Sequence, residues 1–258
     1  ATLRTVFADV DQARVDAAIK ASPKPELAVP WVGDLAEPKA WDELLAHARK
    51  TLGRVTHFVH SAAPPRREAD PTFGVSDETW TRMRAVNVDA GFHLAREISR
   101  ELIAPKKPGS FLMLTSLHAG TPRNLPHYST SKAALAMLVK ELAKTLGRYN
   151  IRVNALVPGA IAAGGFVADP ALTKHIPLGR LGRADDLAPL AGLSLQLEQQ
   201  EPPLVALDLL VGDVTGDGRD DIIFVGQTVD GTKTGVTVAP SHAPSPVGTL
   251  RTDTPCAL

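Results

Sequence analysis

The chain has 258 residues, 44% apolar and 22% charged, with Lys+Arg and Asp+Glu equal at 28 each. Zero net charge leaves no electrostatic footprint for nucleic acid or an anionic membrane. A lone cysteine, Cys256, allows neither an internal disulfide nor a cysteine metal cluster. No apolar run approaches the ~20 residues of a membrane span and no secretion-type leader opens the chain, so the expectation is a soluble cytoplasmic protein: one filled domain plus a tail.

In chain order, Val6-Phe7-Ala8-Asp9 reads as a strand, and Val-Pro-Trp-Val-Gly before Asp34 as another. Asp34 then sits where it could cap a helix over Pro38–Lys50. Asn87, in Ala-Val-Asn-Val-Asp, occupies mid-helix, where asparagine is a poor former and its choice needs a reason. Gly109–Ser116 is a short apolar run ending in hydroxyls, the pattern of a buried parallel strand that delivers Ser116 at its C-terminal edge. Tyr128 and Lys132 open the next helix on one face, since i and i+4 share a side. An ammonium one turn from the ring favours the ionised phenol, which suits the tyrosine to exchange a proton with an alcohol or carbonyl oxygen. Ala133–Val139 continues that helix, and Ile151–Val157 forms a strand stopped by Pro158-Gly159.

Strand, Ser116, loop, Tyr-x-x-x-Lys, helix, strand, Pro-Gly: this order closely resembles the catalytic half of the short-chain dehydrogenase/reductase family, over about residues 5–195. Asn87, Asp34-Leu35 and Ile176–Arg183 before Ala-Asp-Asp-Leu-Ala are further matches. The resemblance implies an α/β, Rossmann-like doubly wound parallel sheet and a Ser-Tyr-Lys-Asn site. Ser116 would hold the substrate oxygen and Tyr128 transfer the proton. Lys132 would tune the tyrosine and meet the nicotinamide ribose, and Asn87 would support a water relay. It also implies cofactor contacts from Asp9, Asp34, Leu35, Ala62, Tyr128, Lys132, Pro158 and Gly159. Either NAD or NADP fits the family. Asp9 favours NAD, because a carboxylate accepts from free ribose hydroxyls and repels a 2′-phosphate.

Departures cluster on the cofactor side. The family's opening strand, T-G-x-x-x-G-x-G turn and first helix have no counterpart before Asp9, so the sheet reads as truncated at its first strand. His60-Ser61-Ala62-Ala63 replaces N-N-A-G, and Ala162-Ala163 stand where a threonine is common. The C-terminal strand reads as atypical too.

The expected organisation is an incomplete Rossmann domain over 1–195, a linker over 196–203, a repeat-like β segment over 204–239 and a disordered tail over 240–258. Within Asp213–Gly226, Asp213, Thr215, Asp217 and Asp221 alternate oxygen ligands as a Ca2+ loop would, resembling FG-GAP/VCBS repeats. A degraded form of the family's terminal strand and a solvated acidic turn without an ion are the alternatives. A displaced phosphate loop is rejected, because Asp217, Asp220 and Asp221 would face a pyrophosphate with like charge.

The leading reading is an NAD(P)-dependent oxidoreductase interconverting a small-molecule alcohol and a carbonyl. The alternative is a non-catalytic relative of the same fold that binds dinucleotide poorly. In the family, helices matching Trp80–Leu102 and Ser129–Leu146 pair between subunits. With Met137, Leu138 and Leu142 as apolar surface, a homodimer or homotetramer is expected.

Overall fold

The computed structural model describes residues 3–65, 72–162, 173–174, 176, 178–196, 204–212, 221–228, 234–239 and 248–252. They fall in two compact units: Ala1–Gly109 with His118–Leu135, and Ser110–Leu117 with Ala136–Leu258.

The first unit opens with β1 (Thr5–Asp9), α1 (Gln12–Ala21) and β2 (Ala28–Val32). β1 and β2 pair in parallel from Thr5↔Ala28 to Asp9↔Val32, with α1 as the crossover. α1 starts where it does because the Asp11 carboxylate accepts from the Ala13 N–H at 2.8 Å, satisfying a donor the helix leaves orphaned. α2 (Pro38–Leu52) begins on proline, which loses nothing at a first turn. It ends on Gly53, whose φ of +77° a residue with a Cβ rarely adopts. β3 (His57–His60) follows.

α3 (Asp77–Arg84) and α4 (Gly91–Ile103) are one helical stretch interrupted by a π turn at Ala85–Ala90. α4 buries Leu94, Ala95, Ile98 and Leu102, an i, i+4 stripe. Its exposed edge is tied to α2 by Arg49–Glu101 at 2.6 Å and His93–Asp42 at 3.0 Å. At the start of α3 the Ser76 hydroxyl accepts from the Thr79 N–H at 3.1 Å. Ser76→Ala should therefore cost about 1 kcal/mol. A denaturant midpoint unchanged at constant m-value would show that this cap contributes nothing.

In the second unit β4 (Gly109–Leu114) and β5 (Ile151–Leu156) are hydrogen-bonded neighbours. Phe111, Leu112 and Met113 are all fully buried, so both faces of β4 are covered, as its unbroken apolar run requires. α5 (Pro126–Leu146) begins in the first unit and ends in the second. Of the three residues expected to offer it apolar surface, Met137 is exposed, but Leu142 is buried in the core instead. α6 (Ala184–Gln196) is entered through Arg180, whose guanidinium grips both Asp186 oxygens at 2.7 and 3.1 Å.

Beyond it, β6 (Leu204–Gly212), β7 (Asp221–Thr228), β8 (Thr234–Ala239) and β9 (Gly248–Thr252) form an antiparallel meander, with an irregularity between Ala206 and Asp208. β9 falls inside the stretch for which the sequence suggests no regular structure. Among the described residues, no helix is long and apolar enough to cross a membrane.

Candidate active site

The π turn and the first turns of α5 build one cluster within the first unit. Asn87, fully buried, donates from Nδ2 to the Ser131 hydroxyl at 2.9 Å and contacts Met83 Sδ at 3.1 Å. Ser131 in turn donates to the carbonyl of Tyr128 at 2.8 Å. The asparagine in the disrupted turn is thus tied, through the Ser131 hydroxyl, to the backbone that carries the tyrosine. A π turn is uncommon and less favourable than α-helix, and it recurs at functional sites. Asn87 Oδ1 is buried and has no hydrogen-bond partner among the described residues.

Tyr128 and Lys132 face each other as their spacing requires: Nζ lies 5.7 Å from the phenol ring centroid. Lys132 is only 3% exposed, and burial pushes its ammonium down to about 8. The amine therefore stays mainly protonated at neutral pH but titrates just above it. The His118 and Tyr128 rings meet edge-on, with centroids 5.3 Å apart.

His60 is the residue whose place sequence reasoning missed. As part of the altered His60–Ala63 turn it reads as a lost cofactor contact. In the fold it is 3% exposed, and its Nε2 lies 3.1 and 3.2 Å from the carbonyl oxygens of Val86 and Asn87. Burial first, and the Lys132 charge second, hold its imidazole down to about 4. The sequence did carry a signal in Gly91, a poor helix former that opens α4. A Cβ on Gly91 would stand 3.0 Å from His60 Cδ2, so the glycine makes room for the ring.

The remaining expected contacts lie as follows. Asp9 ends β1, half-buried, with Oδ1 accepting from the Asp11 N–H at 3.0 Å. Asp34 does not cap α2, whose N-cap is Glu37. It accepts from the Ala36 N–H at 2.9 Å and from Arg82 at 2.7 Å, and these bonds hold its carboxyl below the usual range despite the opposing effect of burial. The Leu35 carbonyl accepts from Trp41 Nε1 at 2.8 Å, which fixes the loop after β2. Ala62, itself half-buried, follows β3 in an irregular stretch.

In the second unit Ser116 is buried just past β4. Next to it, Thr115 donates from both N–H and hydroxyl to the Leu156 carbonyl at 2.8 and 2.9 Å. The Pro158 carbonyl accepts from the Leu117 N–H at 3.1 Å. That bond holds the Pro158-Gly159 turn against the chain leaving Ser116. Asp213, Thr215 and Asp217 lie outside the described residues, while Asp221 is the first residue of β7.

Residues 2–195 match a family model described as enoyl-(acyl carrier protein) reductase, three quarters of the chain. The chain belongs to the short-chain dehydrogenase/reductase family. It is 34% identical over 169 residues to 3beta-hydroxysteroid dehydrogenase 1 of Eggerthella lenta, covering 61% of this chain and 63% of that protein. It is 31% identical over 171 residues to dehydrogenase/reductase SDR family member 4 of Caenorhabditis elegans, covering 60% and 64%. The chain thus spans under two thirds of the length of the curated relatives it matches. Its fold is similar to 3-ketoacyl-(acyl-carrier-protein) reductase from Brucella melitensis complexed with NADH, with a TM-score of 0.67, 26% identity, and 75% and 81% of the two chains covered. This short-chain dehydrogenase/reductase is a Rossmann-fold α/β protein of an oxidoreductase family.

Proposed function

We propose that this chain is an NAD(P)-dependent oxidoreductase that interconverts a small-molecule alcohol and a carbonyl. The observation that carries the reading is the bonded series Asn87–Ser131–Tyr128 carbonyl beside the buried Lys132. In this reading Tyr128 moves the proton to or from the substrate oxygen, and Lys132 stabilises the ionised phenol by charge. Ser116 donates a hydrogen bond to that oxygen as charge develops on it. Asn87 offers its unused Oδ1 to a water that passes the proton on from Lys132.

The residues present fit a nicotinamide dinucleotide. Lys132 is a buried donor suited to ribose hydroxyls. Asp9 has one carboxylate oxygen engaged by Asp11, and its other oxygen can accept from the adenosine ribose. The Asp34-Leu35 loop is fixed from both sides, and Ala62, Pro158 and Gly159 contribute backbone. When bound, the nucleotide supplies or accepts the hydride. The Asp9 carboxylate favours NAD over NADP. Cytoplasmic location and a homodimer or homotetramer complete the reading. Ca2+ at Asp213, Thr215, Asp217 and Asp221 is proposed from the sequence motif alone.

Nucleotide that binds the folded state raises its melting temperature by mass action. NADH should give a larger rise than NADPH at equal concentration, and a panel of secondary alcohols and ketones should show turnover at 340 nm. A flat melting curve at millimolar NADH and NADPH would overturn the cofactor assignment. Reversing the preference would overturn the role of Asp9.

A further inference from the structure

We propose that His60 is a positioning residue for Asn87: by donating from Nε2 to the carbonyls of Val86 and Asn87, it holds the π turn in the register that aims the Asn87 side chain. The proposal rests on the proton-transfer reading of Asn87, Tyr128 and Lys132 given above.

Three observations support it. First, carbonyl oxygens only accept, so a ring nitrogen 3.1 and 3.2 Å from two of them must carry the hydrogen. The tautomer is thereby fixed, and the low titration of the buried ring keeps it neutral at working pH. Second, the π spacing of Ala85–Ala90 interrupts the regular i→i+4 ladder of helix carbonyls. His60 supplies a donor to two of them. Closing the turn to ordinary α spacing would swing the following residues by about 100° around the helix axis. Third, Asn87 has no spare donor for reorientation. Nδ2 is committed to Ser131 and Met83, and Oδ1 is left as a buried acceptor. The direction of that acceptor is set by the backbone His60 grips. Gly91 completes the arrangement, since a Cβ there would press on the ring at 3.0 and 3.2 Å.

The full chain, labelled with 15N at histidine and asparagine, tests this by NMR. At pH 7 His60 should show the Nε2–H tautomer, and the Asn87 side-chain amide should exchange slowly with solvent. His60→Leu should speed that exchange about tenfold or more while leaving the backbone amides of α1 unchanged. His60→Gln, which keeps a donor near the same reach, should restore most of the protection.

An Nδ1–H tautomer in the unmodified chain would overturn the proposal. So would unaltered Asn87 exchange in a folded His60→Leu protein. If His60→Leu does not fold, the tautomer and the His60→Gln spectrum decide. Turnover is followed in parallel, and His60→Leu should lower kcat about tenfold with the nucleotide KM within about twofold. A wild-type chain that shows the expected tautomer and exchange but no turnover with any nucleotide would sink the oxidoreductase reading while leaving the positioning of Asn87 by His60 standing.

Discussion

Tyr128→Phe is expected to leave the fold intact and to lower kcat by about 10²-fold or more. The substitution removes one hydroxyl from a half-buried ring and keeps the ring's edge contact with His118 and the Lys132 ammonium beside it. The Ser131 hydroxyl bonds the Tyr128 carbonyl rather than its phenol, so the Asn87–Ser131 link survives too. What is lost is the only group in the proposed mechanism that moves a proton at the substrate oxygen. A hundredfold loss corresponds to about 2.7 kcal/mol of transition-state stabilisation. It should appear in kcat, with the nucleotide KM nearly unchanged. Turnover within a few-fold of the unmodified chain would remove Tyr128 as the acid/base.

Much of this site was legible because its periodicities are local. Tyr128 and Lys132 share a face by helical spacing alone, and the fully covered β4 follows from an unbroken apolar run with hydroxyls at its end. Asn87 is a misfit in a helix by residue type, but helical periodicity does not reveal the π turn itself. Two carbonyls of that turn meet a donor from β3, twenty-six residues before Val86. For the same reason His60 read as a damaged cofactor turn: its partners are backbone carbonyls, which leave no trace in residue identity. Gly91 was the one visible hint. Asp34 shows the limit of capping rules. Its carboxylate closes the turn at Ala36 and pairs with Arg82, a residue forty-eight positions away, while Glu37 takes the cap position. Leu142 looked like an apolar residue to spare for a subunit contact, yet it is buried.

His60 also predicts how stability responds to acid. An imidazole titrates near 6.5 when unfolded and about 4 in the folded chain, because burial and the nearby Lys132 charge oppose a second cation. Between those two values the unfolded chain binds one proton more than the folded one. Stability from this group therefore rises with pH across the window. It is fully present above about 6.5, falls as pH drops, and reaches its floor near 4. The fall from 6.5 to about 4 corresponds to about 3 kcal/mol. His60→Gln keeps a neutral donor to Val86 and Asn87 but has nothing to titrate. Carboxylates titrate in the same range in both proteins, so the informative quantity is the difference between the two, from guanidinium unfolding at several pH values. His60→Gln should gain on the unmodified chain by about 3 kcal/mol between pH 7 and pH 4. Lys132 contributes a separate slope between about 8 and its ordinary 10.5, which lies outside this window. Parallel stability curves from pH 7 to 4 would mean that His60 charges as easily in the fold as out of it, which a ring donating to two carbonyls beside a buried ammonium should not do.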